Sequence, residues 1–96
     1  MLFSTLLNHL EHTVISGDPS KCKVSTLCRD SRDKSEDGIF VCVKGAKSDG
    51  HDFAKMAYDN GCRAFAVTRP ISLPTDACVV LTSDTRIALA EISAAF

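Results

Sequence analysis

The chain has 96 residues, 45% of them hydrophobic, with 24% charged residues and a formal net charge of −1. That length and hydrophobic content suit one globular α/β-sized domain with a core of its own, and exclude a disordered tail or a membrane-spanning chain. Basic residues are interspersed with acidic ones, as in Arg29-Asp30-Ser31-Arg32-Asp33-Lys34, so charge predicts no nucleic-acid face.

Taken in order, Leu2, Phe3, Leu6, Leu7 and Leu10 repeat at helical spacing, which predicts a short amphipathic helix to about Thr13 with Ser4 as its candidate cap. The stretch starts apolar but has no basic residues before it, and Asn8, His9, Glu11 and His12 interrupt it, so it does not read as a signal peptide. His9 and His12 are three apart without an evident third ligand, and read as surface residues. Val14-Ile15-Ser16 is a brief extended piece closed by the turn cluster Gly17-Asp18-Pro19. Val24 to Arg32 reads as a second strand with a polar end, and Asp33 to Gly38 as loop.

Ile39-Phe40-Val41-Cys42-Val43 is uniformly apolar, too short for a buried helix, and predicts a strand covered on both faces. Lys44 and Gly45 end it. Asp49-Gly50 predicts a turn with Gly50 at positive φ, and Asp52 stands as the N-cap of a helix from Phe53 to Asn60. Phe53, Met56, Ala57 and Asn60 would line one side of that helix, and Gly61 is its stop. Ala64–Val67 follows as a strand parallel to the first, since a helical crossover joins them. Pro70 and Pro74 rule out a regular helix over Arg69–Asp76, and Cys78-Val79-Val80-Leu81 is a further strand of undetermined direction. Asp84 caps a last helix in which Ala88, Ile92 and Ala95 face one way. The pattern runs to Phe96 without a Gly, Pro or polar tail, which reads as a piece of something longer.

Five cysteines, none in a C-x-x-C pair, argue against a disulfide framework or a zinc site and favour a reducing, cytoplasmic setting. No phosphate loop of the form G-x-x-x-x-G-K-S/T, no G-x-G-x-x-G, no H-E-x-x-H and no G-x-S-x-G is present, so no catalytic residue or metal ligand is assigned. His51 between Asp49 and Asp52 reads as a turn residue in preference to an acid–base group. Ligands of parallel sheets bind at the carboxyl ends of strands. Two loops fall there: one with Arg29, Asp30, Ser31 and Arg32, the other with Ala46, Lys47 and Ser48. Guanidinium forks, a lysine, hydroxyls and backbone N–H groups suit a diphosphate or a pyrimidine edge. Asp30 and Arg32 are equally able to pair with charged neighbours.

Asp30-Ser31-Arg32, then Gly38-Ile39-Phe40-Val41-Cys42-Val43-Lys44-Gly45, then Asp49-Gly50-His51-Asp52-Phe53, resembles the N-terminal domain of the Mur ligases. With Asp84-Thr85-Arg86-Ile87-Ala88-Leu89-Ala90 and the ending Ala94-Ala95-Phe96, the chain looks most like the UDP-N-acetylmuramoyl-dipeptide ligases, the MurE type. The MurF type, which adds D-alanyl-D-alanine, shares the first and third motifs and is the alternative. The resemblance implies one UDP-binding domain over residues 1–96, a small mixed, largely parallel sheet flanked by helices, with the central ATP-binding and C-terminal domains absent. It implies that Arg29, Ser31, Ala46, Lys47 and Ser48 contact the UDP end of UDP-N-acetylmuramoyl-dipeptide. It further implies a cytoplasmic parent enzyme, UDP-N-acetylmuramoyl-tripeptide synthetase, using ATP and Mg2+ to activate a D-glutamyl carboxylate as an acyl phosphate. No cofactor is expected in this chain itself. Two departures stand out: Arg29 replaces an apolar or aromatic residue, and Glu36-Asp37 replaces a Pro-Gly-like turn. The rival from another class is a non-catalytic α/β interaction module.

Overall fold

The computed structural model describes residues 1–95. Its frame comes from four short apolar runs that pair side by side in one direction. These are β2 (Thr26–Cys28), β3 (Gly38–Val41), β4 (Ala64–Val67) and β5 (Cys78–Leu81). Ile39 sits opposite Leu27 on one side and Ala64 on the other, and Phe65 opposite Val79, all in parallel register. β1 (Thr13–Ser16) closes the far edge antiparallel to β5, giving the order β1-β5-β4-β3-β2. The expected mixed, largely parallel sheet is therefore present, and the direction of β5 is now fixed.

Side chains alternate across a strand, so one strand serves two cores. Ile39 and Val41 join Phe3, Leu6, Leu7, Ala88 and Ile92 on one face. Phe40 and Cys42 join Ala54, Ala57, Phe65 and Val67 on the other. All four residues of β3 are buried, as a strand covered on both faces requires. The helices that do the covering are α1 (Phe3–Leu6) and α3 (Thr85–Ala94) on the first face and α2 (Ala54–Asp59) on the second.

Several elements differ from the sequence reading. The first helix is a single turn, capped at Leu2 without a side-chain bond, so Ser4 is not its cap. Its apolar spacing continues to Leu10, but residues 7–12 are turn and coil: the chain there must reach the edge strand β1. β2 is only three residues long, and Arg29 to Arg32 is a turn rather than strand. Asp52 is not a helix cap. The cap is Asp49, whose side chain accepts the His51 N–H at the start of a 3-10 turn over Gly50–Phe53 that leads into α2. Gly50 does not have positive φ; only Gly17 and Gly61 do among the described glycines. What excludes a side chain at Gly50 is proximity, since a Cβ there would lie 2.8 Å from the Val43 nitrogen. Ala54 and Ala57 form the buried face of α2, while Phe53 and Met56 are exposed and Asn60 is the C-cap. Asp84 does cap α3, accepting from the N–H groups of Arg86 and Ile87, and Ala88 and Ile92 are buried as expected. Ala95 is exposed, and the expectation for Phe96 lies outside the described residues. Among the described residues, no helix is long and apolar enough to cross a membrane.

Candidate functional site

β2 and β3 are parallel neighbours, so the loops that leave their carboxyl ends stand side by side. The first loop is built by local polar bonds. Asp30 accepts the Arg32 backbone N–H at 3.0 Å and grips its guanidinium through Nε at 3.1 Å and Nη2 at 2.8 Å. Those bonds hold the Asp30 carboxyl down at about 2. From the other side, Asn60 at the end of α2 donates to the Ser31 carbonyl at 2.8 Å. Ser31 is thereby fixed in a buried position, and its hydroxyl faces the Met56 thioether at 3.7 Å. A thioether is a weak acceptor, so this hydroxyl has most of its hydrogen-bonding capacity unspent.

Arg29, Asp30, Ser31, Arg32, Phe40, Phe53 and Met56 enclose a hollow of about 400 Å3. Its rim is polar and cationic, and its floor is aromatic and thioether. A second depression of about 290 Å3 lies on the other side of Arg29, against Val41, Val43, Gly50 and Leu89. Phe53 and Met56 were missed as lining residues because their i, i+3 spacing reads as a core face. The neighbouring alanines were the better signal, because Ala54 and Ala57 let α2 lie close to the sheet and turn the larger side chains outward.

The second loop is a tight turn. Lys44 and Asp49 form an isolated antiparallel bridge, and Gly45 N–H donates to Ser48 C=O at 2.7 Å. Ala46, Lys47 and Ser48 stand exposed on that turn and line neither hollow. The structure thus brings Arg29 and Ser31 together and leaves the other three residues on the adjacent loop. Arg86 of α3 braces the turn by donating to the Lys44 carbonyl at 2.9 Å, a role no sequence motif announced.

His51 bolts the base of this loop to the next strand. Its Nδ1 lies 2.5 Å from the Asp49 carboxylate, and its Nε2 accepts the Thr68 backbone N–H at 3.0 Å beyond the end of β4. Accepting at Nε2 places the proton on Nδ1, facing Asp49. Arg69 adds a contact to Asp49 at 3.3 Å, and the carboxyl is held down at about 2, chiefly by the His51 backbone and ring. His51 is buried, and both of its nitrogens are engaged, so the reading as a turn residue over an acid–base group agrees with its surroundings. Among the described residues no group of three or more His, Cys, Asp or Glu side chains is placed to hold a metal ion.

Fold and loops together define an α/β domain that presents its open, polar loops at the carboxyl ends of parallel strands. The family model described as "Mur ligase family, catalytic domain" matches residues 23–96. UDP-N-acetylmuramoyl-L-alanyl-D-glutamate--2,6-diaminopimelate ligases are similar along nearly the whole chain. That of Geobacillus kaustophilus is 40% identical over 98 residues, covering 100% of this chain and 19% of the relative. That of Clostridium perfringens is 37% identical over 93 residues, covering 97% and 19%. Among solved structures, MurF from Acinetobacter baumannii superimposes with a TM-score of 0.82 at 25% identity, covering 97% of this chain and 20% of that one. The chain belongs to the Mur ligase family, and it spans about a fifth of the length of the relatives it matches.

Proposed function

We propose that this chain is the UDP-anchoring N-terminal domain of an ATP-dependent peptidoglycan ligase, and that it holds the nucleotide end of UDP-N-acetylmuramoyl-dipeptide between its two strand-end loops. The observation that carries this reading is Ser31: a buried hydroxyl with only a thioether for a partner, at the mouth of a hollow rimmed by Arg29 and floored by Phe40, Phe53 and Met56. A diphosphate oxygen is a far stronger acceptor than a thioether, and a planar base suits an aromatic floor. Lys47 brings a mobile charge from the neighbouring turn, Ala46 leaves room for close approach, and the peptide groups near Ser48 meet a base edge. Arg29 stands where the resemblance predicts an apolar contact, and its guanidinium plane can stack on the uracil instead.

The reaction of the parent protein would be addition of the third amino acid of the stem peptide, with ATP and Mg2+ handled by its own central domain. The diaminopimelate ligases among the sequence relatives favour that amino acid. The MurF reading is kept as the second, because solved MurF structures share the fold over 97% of the chain.

Equilibrium binding of UDP tests the site. Part of a substrate-binding surface acting alone should bind in the range of about 0.1–1 mM. Ser31→Ala should weaken binding by at least about 1 kcal/mol, since a net hydrogen bond is worth about 1 kcal/mol and one to a charged group about 1.5–3. Lys47→Ala should weaken it more at low salt than at high salt, because an exposed charge pair is screened. Unchanged affinity in Ser31→Ala would remove the central contact of the proposal.

A further inference from the structure

At the amino ends of the parallel strands, opposite the loops described above, lies a hollow of about 410 Å3. Asp18, Cys22, Asp37, Arg63 and Cys78 are among the residues that line it. The two cysteines come from distant parts of the sequence, and one backbone carbonyl gathers them. Arg63 C=O accepts the Cys78 backbone N–H at 2.7 Å, and the Cys22 thiol lies 3.9 Å from the same oxygen. Cys22 also packs against the apolar cluster that contains Cys78. Both thiols are free in this structure. We propose that Cys22 and Cys78 are a dithiol–disulfide pair, oxidised by small-molecule disulfides that enter through this hollow.

The thiols differ in burial and surroundings. Burial pushes Cys42 and Cys62 up to about 12, which keeps them protonated. Cys22 moves the other way, because a hydrogen bond from the Cys78 thiol stabilises its thiolate against the opposing effects of burial and Asp37. Cys78 is pushed up by that same hydrogen bond and by burial. Cys22 is also the half-buried member of the pair, whereas Cys78 is 3% exposed. Attack therefore falls to Cys22 and resolution to Cys78.

The exchange is balanced in two steps. The Cys22 thiolate attacks one sulfur of the small disulfide, forming a mixed disulfide and releasing one small thiolate, which takes up a proton. Cys78 then gives its proton to solvent, and its sulfur attacks Cys22 Sγ and displaces the second small thiolate. Two protein thiols have been oxidised and one small disulfide reduced to two thiols. The new bond would hold more than two side chains. Cys22 C=O accepts the Phe3 N–H at 2.8 Å, and Lys23 is bridged to Leu2, so the Cys22 segment carries the start of the chain. Joining it to the first residue of β5 would staple that segment to the sheet.

The test is to expose the folded chain to excess glutathione disulfide, unfold it in denaturant that contains N-ethylmaleimide so that every remaining thiol is blocked, and map disulfides by mass spectrometry after trypsin. Trypsin cuts after Lys21 and Lys23, so the expected product is the dipeptide Cys22-Lys23 linked to the peptide bearing Cys78. The oxidised form should also exchange the amides of residues 3–7 more slowly and unfold at higher temperature than the reduced form. In Cys78→Ser the reaction should stop at glutathione on Cys22, a result that needs no comparison of stabilities. Glutathione remaining on Cys22 in the unaltered chain, a Cys28–Cys62 bond in place of Cys22–Cys78, or full blocking of all five thiols would each overturn the proposal.

Discussion

Asp49 and Asp52 are three residues apart and exchange roles between sequence and structure. Either can serve as a cap by residue type, but only Asp49 sits where the backbone is still extended, with φ −114° and ψ 121°, ahead of the helical turn. Asp49→Ala should therefore destabilise the chain, whereas Asp52→Ala, at an exposed position inside the turn, should stay within about 0.5 kcal/mol in urea unfolding. The Asp49 carboxyl is held down at about 2, first by the His51 backbone N–H and then by the His51 ring. A depressed folded value means that protons bind the unfolded chain more readily. The Asp49 contribution is thus fully present above the ordinary carboxyl range near pH 4 and fades as pH falls through about 2. The stability difference between the unaltered chain and Asp49→Asn should shrink over that window in acid titrations. Asp37 makes a second case: it holds φ at 54°, in the left-handed region, where its N–H donates to Gly61 C=O and its carbonyl accepts from Ser25. The Pro-Gly-like turn that the sequence lacks would place a glycine near this position. Asp37→Gly should therefore stabilise the fold by up to about 1 kcal/mol, measured by chemical unfolding.

At the scale of elements, the central strands and the buried face of α3 were legible, and the face of α2 was not. Ile39–Val43 and Ala64–Val67 announce themselves because a strand buried on both faces needs only an unbroken apolar run, and their adjacency follows from one crossover. A helix face needs a phase as well as a pattern. Phe53-Ala54-Lys55-Met56-Ala57 permits two phases, with either the large residues or the alanines inward, and packing against β3 and β4 selects the alanines. Close approach of α2 to the sheet is the reason. Ala57→Leu should then overpack this contact and cost about 1–3 kcal/mol, visible as a lower thermal midpoint. Met56→Ala, by contrast, should leave stability nearly unchanged and alter ligand binding, since Met56 is 43% exposed on the hollow. The short α1 was overread for a related reason: leucines at helical spacing do not state where the chain must leave the helix to pair with β5.

The whole molecule joins two things that composition alone keeps apart. Its sheet and its order of motifs place it in the Mur ligase family, and its strand-end loops supply the groups proposed to hold a uridine diphosphate. The sequence singled out those loops because parallel strands and polar turns are local patterns. It could not show that Ser31 would be buried beside Met56, or that Ala46 to Ser48 would line neither hollow, since both depend on how α2 and α3 pack. On this account the chain is an anchor and performs no phosphoryl transfer. With ATP, magnesium, nucleotide-dipeptide and amino acid, the pure chain should release no phosphate above blank, and reproducible turnover would refute the anchor reading.

The measurement that bears most directly on the anchor is an amide-resolved NMR titration with UDP. Saturable shifts are expected at residues 29–32 and 45–50, with the amides of β1 and residues 90–95 largely unmoved, and ATP should compete more weakly than UDP. No shift at several millimolar UDP, beyond the affinity range of about 0.1–1 mM expected for such a site, would contradict the anchor reading, as would equal competition by ATP.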